Sequence, residues 1–289
     1  MKPVSSGESG MILVNVLLFV AIASGILLLM ISAEDGALDR SLKMREAARA
    51  QAIARGGETS AVVALRRDAI VAPNSDNRAE PWASLAEGAA PIEGGTFDLA
   101  IEDAQSRFNV NALMSGDPAA TAMVDRIAAT IGLVPADVAQ AIALVREIGP
   151  IGDLRPLRLA GLSPEQYAGL GNLLTALPYQ ARINLNAVSE PMMALLLDNP
   201  VAARELIAWR ERQGALTPAD FQTRGLSVPS NCGFTSDLYW VRTRVRIGDT
   251  RQQLTSLLLR RRMPDQAVAV VPIGRWWGAS PPDQAPALP

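Results

Sequence analysis

Neutral-pH proton transfer by imidazole, imidazole metal ligation and the serine and cysteine triads all require histidine, and this 289-residue chain has none. Cys232 is its single cysteine, which excludes an internal disulfide and a thiolate zinc cluster and leaves no evident role for the thiol. What remains is carboxylate or lysine chemistry, a hard-cation site, or no chemistry at all. Asp98, Glu102, Asp103 and Asp237 are the carboxylates to consider for such a cation, yet no loop around them has the ligand spacing of a known calcium motif. Solvated surface charge is the favoured reading of them. No catalytic residue and no cofactor are expected, and the metal question stays open. A carboxylate hydrolase ranks last because no paired-acid motif is present.

The elements that would have to position these groups begin with a membrane segment. From Met11 to Ala33 the chain reads MILVNVLLFVAIASGILLLMISA without one charged residue. Roughly 20 apolar residues span a bilayer core, so the run is long enough. A buried core helix is seldom apolar on every side for so long. A secretory signal peptide has a shorter apolar run of about 7–15 residues and a small-residue exit, whereas Glu34-Asp35-Gly36 follows here. Lys2 in the polar stretch MKPVSSGESG favours a cytoplasmic amino terminus, which places everything after Ala33 on the other side. Lys+Arg is 27 and Asp+Glu is 29, a net charge of -2 that argues against a sequence-independent nucleic-acid binder. Hydrophobic residues at 49% and charged residues at 19% supply a real core and exclude wholesale disorder.

Beyond the apolar run, Leu38, Leu42, Ala48, Ala52, Val62, Leu65 and Ala69 recur at helical spacing, so one helix is expected from Met11 to about Asp68, with a bend at Gly56-Gly57 as its weak point. Residues 71–95 read as loop, and Thr96–Glu102 alternates as a half-buried strand. From about Pro118 to Leu226 short amphipathic helices follow, several opening with Ser-Pro or Thr-Pro. Arg107-Phe108-Asn109-Val110-Asn111-Ala112 is mirrored by Arg182-Ile183-Asn184-Leu185-Asn186-Ala187, which points to a duplicated helical module. Tyr239–Ile247 and Gln252–Arg262 read as a hairpin with one apolar and one basic face, and Ala267–Val271 as a further strand. The proline-rich end, GASPPDQAPALP, reads as disordered.

A polar leader ending in Gly10 directly before an uninterrupted apolar helix resembles the type IV prepilin-like signal. That resemblance implies cleavage by prepilin peptidase between Gly10 and Met11 and N-methylation of Met11. Most members of that family carry Glu at the fifth mature position, where this chain has Asn15. A carboxylate inside the bilayer needs a partner, and a subunit lacking it has no such demand. The alternative is that Asn15 is simply a tolerated polar residue near the interface.

The order of leader, long helix, strand, duplicated helical insertion and closing antiparallel sheet resembles the general secretion pathway protein K family, minor pseudopilins of the type II secretion system. The resemblance covers about Ser5–Arg262 and rests on Gly10-Met11, Asn15, the RFNVNAL and RINLNAV openings and the Arg-flanked closing hairpin. It implies an α+β fold: a pilin-like long N-terminal transmembrane helix packed on an antiparallel sheet, with a large helical, SAM-like, duplicated insertion. The expected divisions are a leader at 1–10, the helix at 11–69 with 11–33 in the membrane, and loop and strand at 70–105. The two SAM-like modules follow at 106–233, the closing strands at 234–273 and a disordered tail at 274–289. The implied role is structural: capping the tip of a periplasmic pseudopilus in protein export across the outer membrane. The implied partners are other minor pseudopilins, the major pseudopilin, the prepilin peptidase and the inner membrane of a Gram-negative cell, with the C-terminal domain in the periplasm. Some members bind calcium, and some carry paired cysteines where Cys232 has no partner. The second module also resembles a helix-hairpin-helix, which keeps a membrane-anchored DNA receptor as the alternative. Asp198-Asn199-Pro200 stands where that motif needs a glycine hairpin, so no nucleic acid is expected.

Overall fold

A computed structural model of the chain describes residues 6–278 and 280–289. By its internal contacts the chain divides into two units, Met1–Arg49 and Ala50–Pro289. The first half of the expected leader, residues 1–5, lies outside the described residues.

Helix α1 runs from Ser6 to Val71. In the first unit its apolar residues, from Leu13 to Ile31, are exposed around the whole circumference, the pattern of a segment made for lipid. In the second unit the helix becomes one-sided: Ala50, Ala54, Ala61 and Leu65 are fully buried, at spacings that keep them on one face. The Gly56-Gly57 pair lies inside uninterrupted helix, and its two members do different things. A Cβ on Gly57 would come within 2.8 Å of the Phe97 ring and of Thr243 Cγ2, whereas one on Gly56 would meet open space. Gly57 is there for close approach to the sheet.

After α1 come strands β1 (Glu87–Ile92) and β2 (Gly95–Asp103). The helical insertion follows: strand β3 (Phe108–Asn109), helices α2 (Pro118–Thr130), α3 (Pro135–Ile148) and α4 (Pro164–Leu173), and strand β4 (Leu174–Thr175). Then come strand β5 (Ile183–Asn184), helices α5 (Glu190–Leu197), α6 (Pro200–Gln213) and α7 (Pro218–Gln222), and strand β6 (Cys232–Gly233). Each of α2 to α7 has proline in its first turn, where its missing N–H costs no hydrogen bond. Strands β7 (Leu238–Ile247), β8 (Thr250–Arg262) and β9 (Val268–Trp277) close the fold. The main sheet is antiparallel throughout, in the order β1-β2-β7-β8-β9. This is the expected α+β architecture, with the insertion entering between two paired neighbours, β2 and β7.

The sheet has two working faces. Leu99, Tyr239, Val241, Leu258 and Val270 pack with Ala61, Leu65 and Trp82 on the α1 side. Leu238, Trp240 and Leu257 form a second cluster with Ala104 and Leu177. The insertion has its own larger core, from Phe108 through Leu185 and Phe221 to Cys232. Burial there pushes the Cys232 thiol up to about 12, so it is packed as a small apolar group.

Three sequence expectations change. The stretch read as loop contains β1; its Gly88, Ala89 and Pro91 hide the strand, which exists because β2 supplies a pairing edge from Leu99 to Gly95. The opening after Arg107, expected to belong to a helical module, first forms the short strand β3 and then a 3-10 turn over Val110–Ser115. The C-terminal residues are not a solvated tail: β9 continues to Trp277, and Gln284 is only 2% exposed.

Candidate functional site

Gly10, Met11 and Asn15 all lie in α1. Met11 and Asn15 are exposed and stand one turn apart on one helix face. Among the described residues α1 is the one helix long and apolar enough to cross a membrane, with a mean hydropathy of 2.7 in its most apolar window.

The duplicated openings make the same bonds. In the first module β3 pairs in parallel with β4, Phe108 opposite Leu174; in the second β5 pairs in parallel with β6, Ile183 opposite Cys232. Asn109 Oδ1 accepts from the N–H of Asn111 at 3.2 Å, and Asn184 Oδ1 accepts from the N–H of Asn186 at 3.0 Å. The second asparagine of each pair then clamps a distant backbone. Asn111 donates to the carbonyl of Ile151 at 2.7 Å and accepts from its N–H at 2.9 Å. Asn186 does the same with Leu216, at 3.3 Å and 2.6 Å. A buried amide that fully satisfies one residue's backbone pair closes each module as a loop.

The first asparagines differ. Asn109 turns inward, donating to the carbonyls of Leu177 and Tyr179 and accepting from the Leu177 N–H. Asn184 reaches out of its module, donating to the Asp76 carbonyl at 2.9 Å and to Asp103 Oδ2 at 2.7 Å. Those partners belong to a buried polar junction between α1, the loop after it and the sheet. Arg260 pairs there with Asp68 at 3.0 Å and with Asp76, and its guanidinium stacks 5.0 Å over the Tyr239 ring. Tyr239 donates to Asp76 Oδ1 at 2.7 Å, and Asp76 also receives the Ser236 N–H. Glu80 accepts from Asn77 and from the Trp82 indole at 2.9 Å.

Burial, then the nearby Glu80 and Asp76 carboxylates, push Asp68 up to about 7 against the pull of Arg260. Burial raises Asp103 to about 6 despite its bonds from Ser236 and Asn184. The same desolvation raises Tyr239 well above the usual phenol value. One arginine faces several crowded carboxylates, so near neutral pH the junction holds protons that exposed carboxyls would have lost.

Asp68, Asp76 and Glu80 have carboxylate oxygens within 4.8 Å of one another, the one such acidic group among the described residues. The sequence reading missed it, because its members are spread over α1 and a loop and no spacing marks them. Arg260 already bridges two of the three and Glu80 is taken by Asn77 and Trp82, so the chemistry is an internal ion pair rather than a vacant set of cation ligands. The four carboxylates singled out from sequence do not form one site. Asp98 pairs with Arg244 at 2.6 Å, which holds it below its usual value, and Glu102 pairs with Arg107 at 3.3 Å. Asp103 is buried in the junction, and burial raises Asp237 beside it.

The hairpin that resembles a DNA-binding motif is closed to phosphate. Asp198 is in the left-handed region at φ 50, and the Asn199 side chain accepts from the N–H groups of Val201 and Ala202. The Ala203 N–H goes to the Asn199 carbonyl, and Pro200 has none to give. No first-turn donor of α6 is left for an anion.

A curated protein from Pseudomonas aeruginosa, type II secretion system protein K, is 29% identical over an alignment that covers 88% of this chain and 89% of that one. The chain is thus similar to type II secretion system protein K over most of its length. Its fold matches a chain of the crystal structure of the GspK-GspI-GspJ complex from the enterotoxigenic Escherichia coli type 2 secretion system. That match has a TM-score of 0.64 and 18% identity, and covers 83% of this chain and all of the other. No family model matches. The alignment with protein K extends over most of the chain, so the likeness includes the helical insertion as well as the sheet that carries it.

Proposed function

We propose that the chain is a minor pseudopilin that caps the tip of a periplasmic type II secretion pseudopilus, a structural and non-catalytic role. The observation that carries the reading is the helical insertion between β2 and β7: it adds bulk to a pilin-like sheet, and that bulk obstructs another subunit from stacking above. The homology to protein K supports a place in the secretion system. The neighbour's complex of GspK with GspI and GspJ supports other minor pseudopilins as partners, and the apolar half of α1 supports a single inner-membrane anchor with the remainder in the periplasm. The domain divisions expected from sequence, with the last strand carried on to Trp277 and the segment after it packed against the fold, serve as the working map of this subunit. The alternative, a membrane-anchored DNA receptor, has no free donors to offer phosphate at α6.

Gly10-Met11 is the proposed prepilin peptidase site, and Met11 the proposed methylated terminus. In a host with the peptidase, the intact mass should be that of a chain beginning at Met11; a mass retaining residues 1–10 would overturn this assignment. Asn15 is the proposed mark of the tip position. The first subunit has no neighbour above it to pair with a fifth-position carboxylate, and a buried charge there costs about 2.5–3.5 kcal/mol on insertion scales. Asn15→Leu should therefore be tolerated and Asn15→Glu should not improve assembly. Secretion is scored in a strain lacking the native copy, at matched membrane levels. Better assembly with Asn15→Glu than with the native residue would sink the tip reading.

A further inference from the structure

The proline-rich C-terminal segment touches both the first helical module and the outer face of the main sheet. Its contacts with the module come first. Arg155 donates to Ser280 Oγ at 3.0 Å, while Arg158 and Tyr167 both donate to Asp283 Oδ2, at 2.7 Å and 2.8 Å. Gln284 is then inserted into the module's edge. Its amide nitrogen donates to the carbonyls of Gly152 at 2.9 Å and Ala176 at 3.1 Å, and its oxygen accepts from the N–H of Leu154. The next residue faces the other way: Ala285 packs into the cluster of Trp240, Leu257 and Leu177. The Pro286 carbonyl accepts from Arg242 of β7 at 3.0 Å. Gln284 and Ala285 sit in a turn closed by the Ala285 N–H donating to the Pro282 carbonyl at 3.0 Å, so a short stretch holds module and sheet at once.

The amide of Gln284 does here what Asn186 does for the second module: it satisfies buried backbone groups that would otherwise be unpaired. Gly152 and Leu154 lie one and three residues after Ile151, the residue that Asn111 clamps. The segment therefore grips the module at the turn that closes it.

We propose that residues 280–289 are a strap that fixes the first helical module to the outer face of the sheet. This is independent of any role in secretion. The test is amide hydrogen exchange on the full chain in detergent, comparing the native protein with Gln284→Ala and with a chain ending at Gly278. Loss of the strap should speed exchange in α2, α3 and α4 by about tenfold, the factor expected when a hydrogen bond of ordinary net strength is lost from a locally opening unit. Helices α5 and α6 should stay within about twofold of native, the scatter expected of a separate cooperative unit. Gln284→Ala should reproduce the selective effect in milder form without removing the cover over Trp240. Unchanged exchange in α2 to α4 in both variants would overturn the proposal. So would equal acceleration of both modules, which would mean general destabilisation.

Discussion

The two helical modules open with nearly the same six residues and are held in place by different means. In the first, Asn109 spends its bonds inside the module, and the connection to the sheet is made from outside by Gln284 and Ala285. In the second, Asn184 reaches Asp103 and the Asp76 carbonyl, so the module is fastened to the Arg260 junction. A repeated local motif thus specifies how each module closes on itself, while its attachment depends on what the surrounding chain presents. The second module is coupled to the buried Arg260 junction, and the first to the Gln284 amide together with the more exposed Arg158–Asp283 ion pair.

That contrast breaks most visibly at Arg260. Arg260→Met leaves Asp68 and Asp76 buried without their cation, and removing one partner of a buried pair costs about 3–5 kcal/mol. Urea denaturation should show this loss, and hydrogen exchange should rise first at the base of the second module. Equal loss in both modules would mean that the junction supports the whole unit rather than one attachment.

The shared clamp is tested by Asn111→Ala and Asn186→Ala. Each strips partners from a buried backbone N–H and carbonyl, at Ile151 or Leu216, and should cost about 2–4 kcal/mol. Similar values in denaturation would establish the clamps as equivalent. A neutral Asn186→Ala would show that the duplication is one of sequence only.

Acidity sharpens the difference further. An unfolded aspartate titrates near about 3.9, whereas Asp103 and Asp68 are raised to about 6 and about 7 in the fold. The folded chain therefore holds more protons between these limits. The stability this contributes is complete below the unfolded value and is lost as pH rises through about 6 to 7. Melting temperature should fall across that window, and protection factors in the second module should fall before those in the first. Asp68→Asn should flatten the upper part of the profile; an unaltered slope would remove Asp68 as its source.

The smallest expected effect lies at the helix caps. Asn199 caps two N–H groups of α6, while Asp117 caps one of α2. Asn199→Ala should cost about 1 kcal/mol and Asp117→Ala less, as judged by thermal melts.

Much of this molecule is determined locally, and those parts are legible in its residues. A 23-residue uncharged run is long and apolar enough for a helix to cross a membrane, proline after Ser or Thr marks helix starts, and alternation in Tyr239–Ile247 marks a strand with an apolar face. The paired RFNVNA and RINLNA openings announce two modules because the first asparagine of each bonds the residue two positions on. Tertiary structure alone decided the rest. Strand β1 carries weak strand-forming residues and exists because β2 offers an edge. Gly57 reads as a helix breaker until Phe97 and Thr243 are placed against it. Asp68, Asp76, Asp103 and Arg260 are separated by up to 192 residues along the chain, and Gln284 lies in a stretch whose composition suggests disorder. Pairings of that kind leave no periodicity behind, because their energy comes from burial and from partners that folding brings together.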